Sequence, residues 1–133
     1  MCGICGIYGG DDKNLIFNMM AVLKHRGPDG CGYYADTAVT LGHTRLSIND
    51  LSKHGSQPMC NEDEDLWLSI NGEIYNFKEL RSSLEKNGHE FKSKSDSEVV
   101  LHCYEEHGLS FLHSLRGMYA LALYDQPNKR FIY

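Results

Sequence analysis

At 133 residues the chain has the length of one domain, enough to bury roughly two-thirds of the surface that its unfolded form exposes. Hydrophobic residues make up 41 % and charged residues 23 %, the balance of a water-soluble globular protein. A net charge of −5 excludes the basic face of a nucleic-acid binder. No apolar run reaches the ~18–20 residues of a bilayer span, and the first ten residues lack a secretory signal, so a cytoplasmic location is expected.

The stretch GICGIYG reads as a short strand buried on both faces. In KNLIFNMMAVLKHRG, Leu15, Met19, Val22 and Leu23 recur at helical spacing as a core stripe, and Gly27 closes the helix. GYYADTAVTLGHTRLSI predicts two strands around a turn near Ala35-Asp36-Thr37. NEDEDLWLSINGEIYN predicts a second pair bent at Asn71-Gly72. A helix follows over Phe77 to Lys86, opened by Asn76 with Glu79 three residues on and ended by Gly88. Ser95-Asp96-Ser97-Glu98 fits a capping box for EVVLHCYEEH, which stops at Gly108. FLHSLR predicts a helical turn, and GMYALALYD with KRFIY a hairpin across Gln126-Pro127-Asn128. About seven strands and three helices, with hairpins outnumbering crossovers, give an α+β fold with helices layered on sheet. The final KRFIY has no turn, cap or polar tail, and reads as a strand cut in mid-sheet, part of a longer protein.

Five cysteines, Cys2, Cys5, Cys31, Cys60 and Cys103, are an odd number without repeating spacing, so no disulfide framework is expected and most should be small buried hydrophobes. Cys2 needs its own account. Cys2-Gly-Ile-Cys5 has dithiol spacing, yet it lies inside a strand and not at a helix N-terminus, where a thiol is activated. A zinc site would need His102 and His107 as the second pair, and five residues apart on a helix they point to different sides. The third reading concerns position: once Met1 is removed, Cys2 carries a thiol and an α-amine on one carbon. An α-amine titrates near pH 8, so a useful fraction is basic at neutrality, and thiol plus amine form a self-contained nucleophile and base.

Other residues fit that third reading. A thiolate attacking a carboxamide creates an oxyanion that needs two donors. Asn71 and Gly72 offer a side-chain and a backbone N–H, although the dipeptide fits an ordinary hairpin turn equally well. Arg45 suits a carboxylate, or a structural salt bridge. Asp96 suits an ammonium group, or a helix cap.

The segments CGICGIYG, HRGPDG, GHTRLSIND, SQPM, NGEIYN, SDSEV and LRGMYALALYD, in this order, resemble the glutaminase domain of glutamine-dependent asparagine synthetases. These belong to the class II glutamine amidotransferases, within the N-terminal-nucleophile hydrolases. The resemblance covers essentially the whole chain, a domain over residues 2–133. It implies a four-layer αββα sandwich, here incomplete at its C-terminus, with the synthetase domain absent. By position it makes Cys2 the nucleophile, its α-amine the base, and Asn71 and Gly72 the oxyanion hole. It assigns the glutamine α-carboxylate to Arg45 and the α-ammonium to Asp96 with Glu73, and gives backbone contacts to Ile48 and Asn49. Asn49 and Ser97 depart from the residues frequent at their positions.

The implied activity is hydrolysis of L-glutamine to glutamate and ammonia, with no metal and no cofactor in this domain. MgATP is expected only in a C-terminal or separate synthetase domain, where ammonia meets an activated aspartate. Two other functions stay open: a silent binding or regulatory module of this fold, and the glutaminase domain of a related ATP-dependent amide-forming enzyme. No nucleic-acid or membrane partner is implied, and homo-oligomerisation is left open.

Overall fold

The computed structural model describes residues 1–47 and 55–133. Its elements are β1 (Gly3–Tyr8), α1 (Lys13–Leu23), β2 (Gly30–Ala35), β3 (Val39–Arg45), β4 (Met59–Cys60), β5 (Leu66–Ile74), α2 (Phe77–Lys86), α3 (Glu98–His107), β6 (Gly117–Asp125) and β7 (Arg130–Ile132). A 3₁₀ turn, Gly108–His113, follows α3. Two antiparallel sheets form, ordered β1-β3-β2 and β4-β5-β6-β7. They face one another, with α1 on the outer side of the first and α2 and α3 on the outer side of the second. The result is an α+β sandwich of four layers, αββα, as expected.

The alternation of strand side chains explains the layering. On β3, Val39 and Leu41 point to the second sheet and pack with Tyr124. Gly42 and Thr44 point the other way: a side chain at Gly42 would meet Ile16 of α1, and the Thr44 hydroxyl donates to the Leu23 carbonyl at 3.2 Å. Central β3 is therefore buried on both faces. On β5, Leu66, Leu68, Ile70 and Ile74 join the core beneath α2 and α3, while Trp67 faces the first sheet and stacks on Tyr34 with ring centres 4.1 Å apart. The Ser69 hydroxyl crosses the same gap to the Gly42 carbonyl at 3.4 Å.

Several local expectations are corrected. Strand β1 lies at a sheet edge and is only half-buried, with Tyr8 71 % exposed. The buried residues of α1 are Ile16 and Met20, while Leu15 and Val22 are exposed. The α1 helix ends at Leu23, so Gly27 does not close it. Asn71-Gly72 is no hairpin: β5 runs straight through it. Asn76 precedes α2, but its side chain leaves the helix and bonds the Ser114 carbonyl and the Arg116 N–H. The Ser95–Glu98 capping box does not form, because Glu98 accepts instead from Lys92 N–H and Ser93 N–H at 2.7 Å each. All five cysteines are free, and only Cys103 is fully buried.

Candidate functional site

The interior between the sheets changes character along its length. At one end stand Val39, Leu41, Tyr34, Trp67 and Tyr124. Continuing by alternate residues along β3 brings His43 and Arg45, and along β5 brings Ser69 and Asn71. The same strand faces that build core at one end thus build a polar cleft at the other. This cleft has a volume of about 250 Å³ and is lined by Cys2, His43, Arg45, Asn71, Gly72, Glu73 and Asp96, with Met1 also on its wall. Five predicted site residues, Arg45, Asn71, Gly72, Glu73 and Asp96, are therefore brought together with Cys2. Ile48 and Asn49 lie outside the described residues.

Cys2 directly precedes β1. Its Sγ accepts the Leu46 N–H at 3.3 Å, and its thiol faces the Leu46 carbonyl at 3.7 Å. The HRGPDG segment holds this corner. Arg26 Nε donates to the Cys2 carbonyl at 3.0 Å. Asp29 N–H donates to the Arg45 carbonyl at 3.0 Å, and the Asp29 carboxylate accepts from Ser47 N–H at 2.8 Å. Gly27 permits this closeness, because a Cβ there would collide with the Thr44 carbonyl group. The turn so clamps both Cys2 and the end of β3, from which Arg45 extends to donate to the Ser56 hydroxyl at 3.3 Å.

Asn71 and Gly72 pair with Ala120 and Tyr119 of β6. Gly72 has φ +154°, and a side chain there would strike the Met118 carbonyl oxygen and the Tyr119 backbone. The dipeptide serves a close approach of two strands, which is why it is no turn. Asp96 is buried, and its carboxylate accepts from Ile74 N–H at 2.8 Å. It therefore ties the start of α3 to β5 and does not cap α3. Glu73 is exposed at the rim.

Two cleft residues carried no role in the sequence reading. Gln57, from the SQPM segment, accepts the Ile70 N–H at 2.6 Å and reaches the Ser97 hydroxyl at 3.5 Å. It links β5 to the segment bearing Asp96. His43 is 1 % exposed, and Nε2–H donates to the Ile70 carbonyl at 3.3 Å. Its Nδ1 has no hydrogen-bond partner among the described residues. Burial pushes the His43 pKa down to about 4, assisted by the positive charge of Arg45, so the ring is neutral at pH 7. Its position two residues before Arg45, on the same strand face, is the one sequence signal that points to it.

The arrangement joins a thiol, donors on β5, a guanidinium and carboxylates in one cleft, which suits a small zwitterionic substrate bearing a carbonyl group. The family model described as "Glutamine amidotransferase domain" matches residues 1–133. A glutamine-hydrolyzing asparagine synthetase of Sandersonia aurantiaca is 42 % identical over 99 % of this chain and 26 % of its own length. A Bacillus subtilis asparagine synthetase is 41 % identical over 95 % of this chain and 21 % of its own. The chain thus spans about a quarter of the length of such relatives. Among solved structures, the glutamine phosphoribosylpyrophosphate amidotransferase of B. subtilis superposes with a TM-score of 0.79 at 22 % identity, over 95 % of this chain and 35 % of that one. That likeness independently establishes the fold. The matched family, its full extent and the relatives' identity lead to one conclusion: this chain belongs to the glutamine amidotransferase domain family.

Proposed function

We propose that the domain hydrolyses L-glutamine to glutamate and ammonia through a thioester on Cys2. Removal of Met1 frees the α-amine and clears the residue that otherwise lines the cleft. The Cys2 sulfur adds to the carboxamide carbon, and the resulting oxyanion rests on the Asn71 amide and the Gly72 N–H. Collapse of the tetrahedral species breaks the C–N bond, and ammonia leaves with a proton carried by the α-amine. Water, deprotonated by the same amine, then cleaves the thioester and restores the thiol. Arg45 holds the substrate carboxylate, Asp96 with Glu73 its ammonium, and Ile48 and Asn49 supply the backbone contacts that the resemblance assigns them. The observation that carries this reading is the meeting of Cys2, Arg45, Asn71, Gly72 and Asp96 in one cleft, from four separate segments of the chain.

The related synthetases suggest the fate of the product: ammonia passes to an ATP-dependent domain that amidates aspartate. We propose that role for the longer protein, with MgATP confined to that domain. No cofactor is assigned to the chemistry at Cys2.

The test is glutamate release from methionine-processed protein, verified by intact mass. Cys2→Ala should abolish turnover with folding retained, and normal turnover by that variant would sink the reading. Asn71→Ala should lower turnover by about 10²–10³, the usual cost of one oxyanion donor. The alternative of a silent module draws on Met1, which lines the cleft and, if retained, blocks the amine. Protein that keeps Met1 in its native host would favour that alternative.

A further inference from the structure

A second cluster lies on the helical layer, and none of its residues lines the cleft. His89 sits between α2 and α3, while His102 and Glu105 lie on α3. His89 Nδ1 and His102 Nδ1 face each other at 3.2 Å. Glu105 Oε2 is 2.9 Å from His102 Nδ1 and 3.4 Å from His89 Nδ1. These three atoms form a nearly equilateral triangle. Ligands on one face of a tetrahedral ion, each about 2.0–2.1 Å from it, stand about 3.3 Å apart. The triangle is that face.

The surroundings fit as well. Imidazoles that hold a metal commonly donate the other ring N–H to a carboxylate, which fixes the tautomer. Behind His89, Nε2 is 3.0 Å from Glu106 Oε2. Behind His102, Nε2 lies 3.8 Å from Glu98 Oε1 and 4.0 Å from Glu62 Oε1. The second oxygen of Glu105 accepts from Asn61 Nδ2 at 2.9 Å, so that carboxylate is also held in place. The His102 side chain is 2 % exposed and the Glu105 side chain 22 %, which gives the cluster a rigid floor and a partly open mouth.

We propose that His89, His102 and Glu105 bind one divalent first-row transition ion, of which zinc best suits two imidazoles and a carboxylate, with the fourth position left to water. This departs from the sequence expectation of no metal and from the His102–His107 pairing. The true partner of His102 stands before α3, where no local spacing reveals it. The bound ion ties the segment before α3 to the helix, independently of the chemistry at Cys2. The competing account is an imidazolium held among carboxylates, without any metal.

The experiment uses the whole chain, stripped with a chelator and dialysed. Zinc is titrated by calorimetry, and cobalt(II) serves as a visible probe of the ligands. One equivalent should bind, with a cobalt spectrum free of thiolate charge-transfer bands, and the melting temperature should rise with zinc. His89→Ala and Glu105→Gln, both outside the hydrophobic core, should weaken binding by more than about tenfold, since losing an outer-shell partner alone costs 10–100-fold. Three outcomes would overturn the proposal: affinity equal in His89→Ala and the parent chain, a thiolate band that vanishes in Cys2→Ala, or no binding by folded protein at millimolar zinc. Circular dichroism of each variant verifies the fold.

Discussion

His43 shows how one side chain couples the core to the cleft. Its proton sits on Nε2, which satisfies the Ile70 carbonyl, and its Nδ1 lone pair has no partner among the described residues. A folded pKa of about 4 against about 6.5 in the unfolded chain means that the unfolded state takes up a proton first as pH falls. The neutral ring's contribution is therefore complete above pH ~6.5 and is lost progressively down to pH ~4, on the order of 3 kcal/mol at most. His43→Gln keeps a donor for Ile70 and has no titrating ring. Its urea midpoint should fall less than that of the parent between pH 7 and 4.5. Parallel pH profiles for the two proteins would refute the assignment. Depressed carboxylates such as Asp36, Asp125 and Glu98 begin to lose their contribution at the lower edge of that window, as pH falls toward their ordinary values, and they do so equally in both proteins.

At the scale of elements, β5 holds the most information per residue. It carries core on one face, cleft donors on the other, and Gly72 where β6 approaches too closely for a side chain. Gly72→Ala must move β6 or leave its backbone conformation, and a loss of about 1–3 kcal/mol in urea unfolding is expected, with glutamate release falling too. Gln57→Leu removes the acceptor of the buried Ile70 N–H and should cost a similar ~1–3 kcal/mol. An unchanged midpoint in Gln57→Leu would mean that the Ile70 N–H has another route to satisfaction.

The same strand marks what was legible in the sequence and what was not. Most element types and their order are readable, because periodicity and turn residues are local, but the two-residue strand β4 is too short to show a period and β5 reads as two strands. Asn71-Gly72 misled because its commonest local use is a turn, whereas here the glycine answers to a neighbouring strand 47 residues on in chain order at Tyr119. The α1 stripe was misphased between Leu15 and Ile16, since several apolar residues there leave the helix face ambiguous. Glu98 deserted its capping box for the N–H groups of Lys92 and Ser93, a loop geometry that no spacing rule contains. Cys2, Arg45, Asn71, Gly72 and Asp96 were named from residue chemistry and motif resemblance, and the fold gathers them. His43 and Gln57 were not, because their work consists of contacts across the sheets.

For the whole molecule, the two-sheet interior is shared between stability and site. Leu41, wholly buried between the sheets, should cost about 2–5 kcal/mol on truncation to alanine. Since Arg45 extends from the same strand, this variant should lose activity in proportion to its unfolded fraction. Full activity in folded Leu41→Ala molecules is the expected result when rates are corrected for that fraction, and a large residual defect would show that packing at one end sets geometry at the other. The single tryptophan adds an optical consequence. Trp67 lies against Tyr34, in the apolar end of the gap whose other end holds Cys2. Its emission therefore reports whether the sheets are shut, from a vantage point remote from the reacting atoms. An inactive preparation with native Trp67 emission has failed at the mouth of the cleft, whereas one with red-shifted emission has come apart along its middle.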